Sequence, residues 1–415
     1  MNKTDPSASH PAHIPSAAIY DFDMFRDAAL FNAPHERVLQ LSREAPPVFW
    51  TPHNGGHWLV MNYADVQTVL RTPEIFSSEL IPPEQAAMMR AMIPAGAPRL
   101  PMLTPIMMDP PAHTKYRAPL QRAFSPKAIT ALQEQIATLA YQLIDDVIAQ
   151  GHCEFIAAVA EQFPVRIFLK MMGLPEERLL EFRALAHEAF MPRERENEAM
   201  VFMQMRKIAD AMHDVILARR ENPQNDLISV LWSTEIDGAP MTMELMEDYC
   251  TLLFLAGLDT VVIAISFGMH HLARHPELQN QLRANPPLIA DATEELLRRY
   301  TFTVPVRRVV QDTTLGGWDL KVGDRVMLYL PAADLDSRIF PNPEVFDVAR
   351  ENRAHMLFGN GPHHCVGVHL ARLELQTLYR VVLERLPEFR LDPDKPAQYR
   401  VTQNLLMTSL NLRWD

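Results

Sequence analysis

Nineteen consecutive residues near the middle of the 415-residue chain, Thr251 to Met269 (TLLFLAGLDTVVIAISFGM), include a single charged residue, Asp259. Such a run has to be hidden from water, and its length would let it span a bilayer. A carboxylate at its centre would cost ~2.5–3.5 kcal/mol there, and no second run of this kind occurs elsewhere in the chain. The run is therefore predicted to be a long helix buried in a soluble core. A helix that is apolar all round needs neighbours all round, so this feature demands a mostly helical fold large enough to enclose it. At 48 % hydrophobic and 22 % charged residues the chain has the material to do so, and disorder is excluded.

The flanking patterns agree. Ser125-Pro126 opens a helical repeat of Ile129, Leu132, Ile136, Leu139, Leu143 and Val147 that Gly151 closes. Further helical runs cover 164–172, 175–190, 198–220, 226–233 and 244–275. Another follows Asn285-Pro286-Pro287, and a last one runs from the cysteine at 365 to Pro387. Strands are predicted at 48–51 and 57–61, around the turn residues Asn54-Gly55-Gly56, and again at 304–311, 318–320 and 325–330. Residues 388–415 read as short strands. The fold class is mainly α with a smaller β-rich part. Residues 1–20, polar and rich in Pro and Ser, are expected to form a flexible arm without signal peptide or anchor. Residues 21–415, with no repeat and no linker-like shift in composition, are expected to form one domain.

Charge and cysteines narrow the function. Lys+Arg number 39 against 51 Asp+Glu, a net charge of −12, which argues against nucleic acid or an anionic membrane as partner. Cys153, Cys250 and Cys365 cannot make a disulfide framework and fit a reducing cytoplasm. Glycine is scarce, with 14 in the chain, yet Gly359, Gly361 and Gly367 crowd around Cys365. Glycines of this kind let a backbone approach a flat ligand closely, and a cysteine at the start of a helix is favoured as thiolate. A lone cysteine is otherwise a small buried hydrophobe, the reading that serves Cys153 and Cys250. His363, His364 and His369 around Cys365 leave zinc open as a rival metal, although the paired ligand spacing is missing.

Phe358-Gly359-Asn360-Gly361-Pro362-His363-His364-Cys365-Val366-Gly367 resembles F-x-x-G-x-x-x-C-x-G, the haem-ligand signature of the cytochrome P-450 family. The resemblance implies the fold of that family, with haem b between the central helix and the cysteine loop and Cys365 as the axial iron ligand. Gly257, Asp259 and Thr260 match the family's oxygen-binding helix. Thr260 can bond the carbonyl of residue 256 and bend a helix weakened by Gly257, while Asp259 relays protons. Glu295 and Arg298 match its E-x-x-R ion pair, with Arg350, or alternatively Arg353, as the third partner. His113, Arg117, Arg307 and His363 match its propionate contacts, and Phe358, Gly359 and Gly257 are expected against the haem.

The resemblance is strongest to the bacterial camphor-hydroxylase branch, through Gly257-Leu258-Asp259-Thr260-Val261-Val262, Glu294–Arg299 and Trp414-Asp415. The tyrosine with which that branch holds a ketone falls at Pro101, and its aspartate beside a propionate falls at Pro305, so another substrate is expected. By register Leu103, Leu252, Leu255, Thr303 and Val304 touch it, with Gln403 or Asn404 near a single oxygen. Met88, Met89, Met92, Met102, Met107 and Met108 supply an adaptable apolar cover suited to a terpenoid- or norisoprenoid-like molecule. The implied function is hydroxylation with dioxygen as co-substrate. Electrons are expected from a separate iron–sulfur ferredoxin and its NAD(P)H-dependent flavoprotein reductase, docking near Arg117 and Arg372 on a cytoplasmic monomer. A haem sensor without turnover, or a peroxide-driven peroxygenase, is the alternative; the intact Asp259-Thr260 pair speaks against both.

Overall fold

The computed structural model describes residues 10–82, 84, 85, 88, 99–190 and 198–415. The apolar run lies at the centre as two helices in line, Met243–Gly257 and Asp259–Arg274, with Leu258 breaking them. Thr242 caps the first, its hydroxyl accepting from the Leu245 amide at 3.3 Å. Gln162–Met172, Leu179–Phe190, Glu198–Glu221 and Leu227–Trp232 wrap the first helix. Leu288–Arg299 and Val368–Arg385 pack on the second, and Gln133–Ile148 backs Val368–Arg385. At Gly268 the second helix meets Val368–Arg385 so closely that an added Cβ would sit 2.0 Å from the Tyr379 hydroxyl, which bonds the Ala264 carbonyl at 3.1 Å.

The β-rich part stands to one side. Its main sheet runs Val48–Thr51, His57–Val60, Arg325–Leu328, Val306–Val309, Phe76–Ser77. The first two strands form the predicted hairpin, and the parallel pairing of His57–Val60 with Arg325–Leu328 ties the N-terminal region to residues 300 onward. The hairpin Gln398–Val401 and Leu405–Ser409 brings the C-terminal residues beside the central helix.

Three expectations need correction. The loose arm does not extend to residue 20: Ile14 and Ala18 are buried on the main sheet and the Tyr20 amide bonds the Trp50 carbonyl at 2.9 Å. Residues 1–9 of that arm, with Met89 and Met92, lie outside the described residues. The helix opened by Ser125-Pro126 is two, Pro126–Thr130 and Gln133–Ile148, and the Ser125 side chain makes no cap bond. The last helix begins not at Cys365 but at Val368, with Gly367 as its N-cap.

Candidate functional site

Within the most apolar segment of the chain, Ala256 and Gly257 are exposed and Leu255, Asp259 and Thr260 are partly so. Such a face in the middle of a core helix lines a hollow. The Thr260 hydroxyl donates to the Ala256 carbonyl at 3.0 Å across the break at Leu258, the side-chain bond that opens a helix at this point. Asp259 follows the break. Burial lifts its carboxyl to about 7, opposed by the Asn404 side chain and reinforced by Glu161. Its Oδ2 is buried and, among the described residues, has no partner. Asp259 lines a cavity of about 130 Å³ together with Glu161, Arg183 and Thr408, and Glu161 and Arg183 pair there at 2.7 Å.

The cysteine loop is shaped by two residues with left-handed backbone, Gly359 at φ 71° and Gly361 at φ 69°. At Gly361 the loop touches the end of the Tyr63–Arg71 helix, where a Cβ would meet the Leu70 carbonyl oxygen at 2.4 Å. The Phe358 carbonyl accepts the Cys365 amide at 2.8 Å, closing the loop. Burial raises the Cys365 thiol, against the Gly367 amide, Arg117 and Arg372, which favour the thiolate. The expected assistance from a helix start is therefore absent at this residue, and ionisation falls to a bound metal.

Four residues expected to meet carboxylates converge. His113 is 2 % exposed, its ring centroid 4.2 Å from that of His363, and neither of its ring nitrogens finds a partner among the described residues. Burial first, then Arg117, lowers His113 to about 4. His363, bonded to the Ser78 hydroxyl at 3.0 Å, falls to about 3 through burial and then Arg307 and His113. Arg307 is buried and pulled to about 10, opposed by Asp109, and Arg117 donates to the His364 carbonyl. Burial and the neighbouring cations favour the neutral form of both histidines, and a carboxylate placed against them would act the other way. The lowered values and the orphaned His113 nitrogens mark a place built for added negative charge.

Beneath the loop, Glu295 and Arg298 pair at 2.8 Å with both side chains 0 % exposed. Arg350 adds 3.0 and 3.1 Å bonds to the same carboxylate and donates to the Pro341 and Val345 carbonyls. Arg298 reaches the Asp334 and Pro343 carbonyls. Arg353, the alternative third partner, pairs instead with Asp291. Every charge is paired and most donors are used, the condition under which buried ions are tolerated.

The expected substrate contacts divide. Leu103, Leu255 and Thr303 are partly exposed, and the Thr303 hydroxyl has no partner among the described residues. Val304 is 1 % exposed and Leu252 is 7 % exposed, so in this structure each offers little surface to a substrate. Asn404 bridges the Thr303 backbone and turns its side chain to Asp259, and Gln403 bonds the Val304 carbonyl at 3.3 Å. Met88 and Met102 are exposed, Met107 and Met108 partly so. Sequence reasoning gave no role to Glu294, His355, Glu161 or Arg183; pairs that lie up to 78 residues apart leave no local pattern.

A hollow lined by a small-residue helix face, a cysteine held on a glycine loop, and unpaired donors for carboxylates fit haem and define a haem-thiolate oxygenase. Residues 165–414 match the profile of the family "Cytochrome P450". The chain is 30 % identical over 398 residues to "Probable cytochrome P450 127A1" of Sinorhizobium fredii, covering 94 % of this chain and 92 % of that protein. It is 33 % identical over 341 residues to the steroid C26-monooxygenase of Mycobacterium tuberculosis H37Rv, covering 80 % of this chain and 81 % of that one. The crystal structure of CYP101J2 superposes with a TM-score of 0.86 at 32 % identity, over 98 % of this chain and 100 % of that chain. That of CYP101C1 gives 0.88 at 30 %, again over 98 % and 100 %. The chain belongs to the cytochrome P450 family and is a monooxygenase of the bacterial type. Its cofactor is haem b, its co-substrate dioxygen, and its electrons derive from NAD(P)H through redox partners.

Proposed function

We propose that this monooxygenase hydroxylates a small, largely apolar molecule of terpenoid or norisoprenoid type, with Cys365 holding the haem iron and Asp259 and Thr260 delivering protons. Haem, once bound, supplies the binding and activation of dioxygen. His113, Arg117, Arg307 and His363 hold its carboxylates, and the Glu295–Arg298–Arg350 cluster keeps the loop in place. The observation that carries the reading is the break at Leu258, where the Thr260–Ala256 bond lies next to Asp259, whose buried Oδ2 has no partner among the described residues. At about 7, Asp259 can both take and give a proton at neutral pH. Its carboxylate takes a proton from water entering the Glu161–Arg183 cavity and, once turned toward the groove, donates it in a hydrogen bond to Thr260 Oγ1, whose own proton stays on the Ala256 carbonyl.

The substrate class rests on Leu103, Leu255, Met107 and Met108, with the Thr303 hydroxyl, unpartnered among the described residues, as a contact for one substrate oxygen. The electron donor in this reading is an acidic iron–sulfur ferredoxin meeting a cytoplasmic monomer. Arg122, exposed on the same helix as Arg117 (Ala112–Ala123), and Lys127, exposed on Pro126–Thr130, support that docking. Arg117 and Arg372, first expected there, are bound to His364 and Glu294. Titration of the ferric protein with a terpenoid panel tests the substrate: a low-to-high-spin shift is expected, and no shift with any member would refute the class. Thr260→Ala is expected to consume NAD(P)H while yielding peroxide instead of product; normal coupling would remove Thr260 from the proton path.

A further inference from the structure

Two residues outside the established motifs grip the helix that follows the cysteine loop. Glu294, one residue before the buried ion-pair glutamate, receives the Arg372 guanidinium in a two-pronged contact, Nε and one Nη each at 2.7 Å. His355 approaches the same carboxylate at 3.2 Å with its own side chain 2 % exposed. Arg372 lies over the Phe358 ring, 5.1 Å from the centroid, and the His355 ring lies 5.6 Å from that ring. Phe358 is the residue whose carbonyl accepts the Cys365 amide. The contacts therefore run without a gap from Glu294 to the cysteine loop. Burial opposes ionisation of Glu294, but the bonds from His355 and Arg372 outweigh it and pull the carboxyl to about 2, so the grip is constant at any working pH. A carboxylate fork of this kind fixes the guanidinium plane as well as its position, and the ring beneath adds cation–π attraction.

Arg372 is only 37 % exposed and its fork is spent inside the protein. Its charge lies against the Phe358 ring, on the residue whose carbonyl holds the Cys365 amide. We propose that Glu294 and His355 are positioning residues that hold the Arg372 cation beside the Cys365 loop, where its charge raises the reduction potential of the haem bound there. The inference rests on Cys365 as the haem ligand. One-electron reduction, the electron supplied by the dye couple of the titration, would add one negative charge to the iron–thiolate unit. A fixed cation close by stabilises the reduced, more negative state more than the oxidised one, and surroundings of the sulfur of this kind are among a protein's levers on potential.

The test measures the ferric–ferrous potential of substrate-free holoprotein by equilibrium dye titration in wild type, Arg372→Leu, Arg372→Lys, Glu294→Gln and the double variant Glu294→Gln/Arg372→Leu. Arg372→Leu is expected to lower the potential, and Arg372→Lys, which keeps the charge, to lower it less. The drop caused by Arg372→Leu is expected to shrink in the Glu294→Gln background, because an unanchored cation spends less time at the loop. An unchanged potential in Arg372→Leu, or equal drops in the Leu and Lys variants, would overturn the charge effect. An equal drop in both backgrounds would overturn the positioning. The reduced carbon-monoxide spectrum separates the underlying reading: a wild-type protein without the thiolate band sinks Cys365 as ligand, whereas a normal band with an unmoved potential sinks the clamp alone.

Discussion

Gly361→Ala should loosen the haem loop more than any comparable change on the surface. Two costs add at this site. The left-handed backbone, φ 69°, strains an L-residue by about 1–2 kcal/mol. The new Cβ would also lie 2.4 Å from the Leu70 carbonyl oxygen, where ordinary contact is 3.4–4 Å. The obstacle is backbone, so the loop or the end of the Tyr63–Arg71 helix has to move by about an ångström, an overpacking cost of roughly 1–3 kcal/mol. Gly238 supplies the control: its φ is 76°, but an added Cβ would meet nothing within 4 Å. Gly238→Ala therefore carries the backbone cost alone, and the difference between the two variants isolates the collision. With about 2.1 cal/mol/K of unfolding entropy per residue, 415 residues make 1 kcal/mol worth only about 1 °C. Urea midpoints are the sharper assay, run beside haem retention in the reduced carbon-monoxide spectrum. Gly361→Ala is expected to lose about 1–3 kcal/mol more than Gly238→Ala and to release haem first. Equal midpoints and equal haem content in the two variants would refute the close approach at Leu70.

Glu295→Gln removes the carboxylate shared by Arg298 and Arg350 and leaves two buried guanidinium groups without their anion; a loss of about 3–5 kcal/mol is expected in urea unfolding, and a change below 1 kcal/mol would mean the cluster is not closed to water. Glu374 is buried with Oε2 unpartnered among the described residues, and burial lifts its carboxyl from 4.5 to about 8. Between those values the folded protein keeps a proton that the unfolded chain has released, so this residue makes stability fall as pH rises from about 4.5 to 8 and adds no further slope above. Glu374→Gln should remove that slope, gaining on wild type with rising pH; parallel stability curves would show that the side chain is solvated.

The motifs legible in sequence were those set by local spacing. Thr260 and residue 256 are one helical turn apart, so their bond and the break beside Gly257 follow from the segment itself. Glu295 and Arg298 are likewise neighbours on one helix face, and the glycines around Cys365 announce their backbone. Partners from distant segments were not legible. Choosing Arg350 over Arg353 depends on how the meander returns to the Leu288–Arg299 helix, and Arg372 looked free for docking because Glu294 lies 78 residues away. Asn404 was placed against substrate by register, but its side chain turns to Asp259 once the last hairpin folds. Ile14 and Ala18 sit in a segment too polar to signal burial, and only the paired sheet gives them a surface to cover. The thiol of Cys365 was read from a helix start that lies three residues further on, so its ionisation depends on the metal it receives.

The central claim is that Cys365, on a glycine-shaped loop opposite the Thr260 groove, is the thiolate that holds haem iron. The optical spectrum of the reduced, carbon-monoxide-treated protein, recorded for wild type and Cys365→Ala side by side, tests it most directly. A strongly red-shifted Soret band is expected in wild type, and its loss in Cys365→Ala. A wild-type protein without that band, or a variant that keeps it, would contradict the claim.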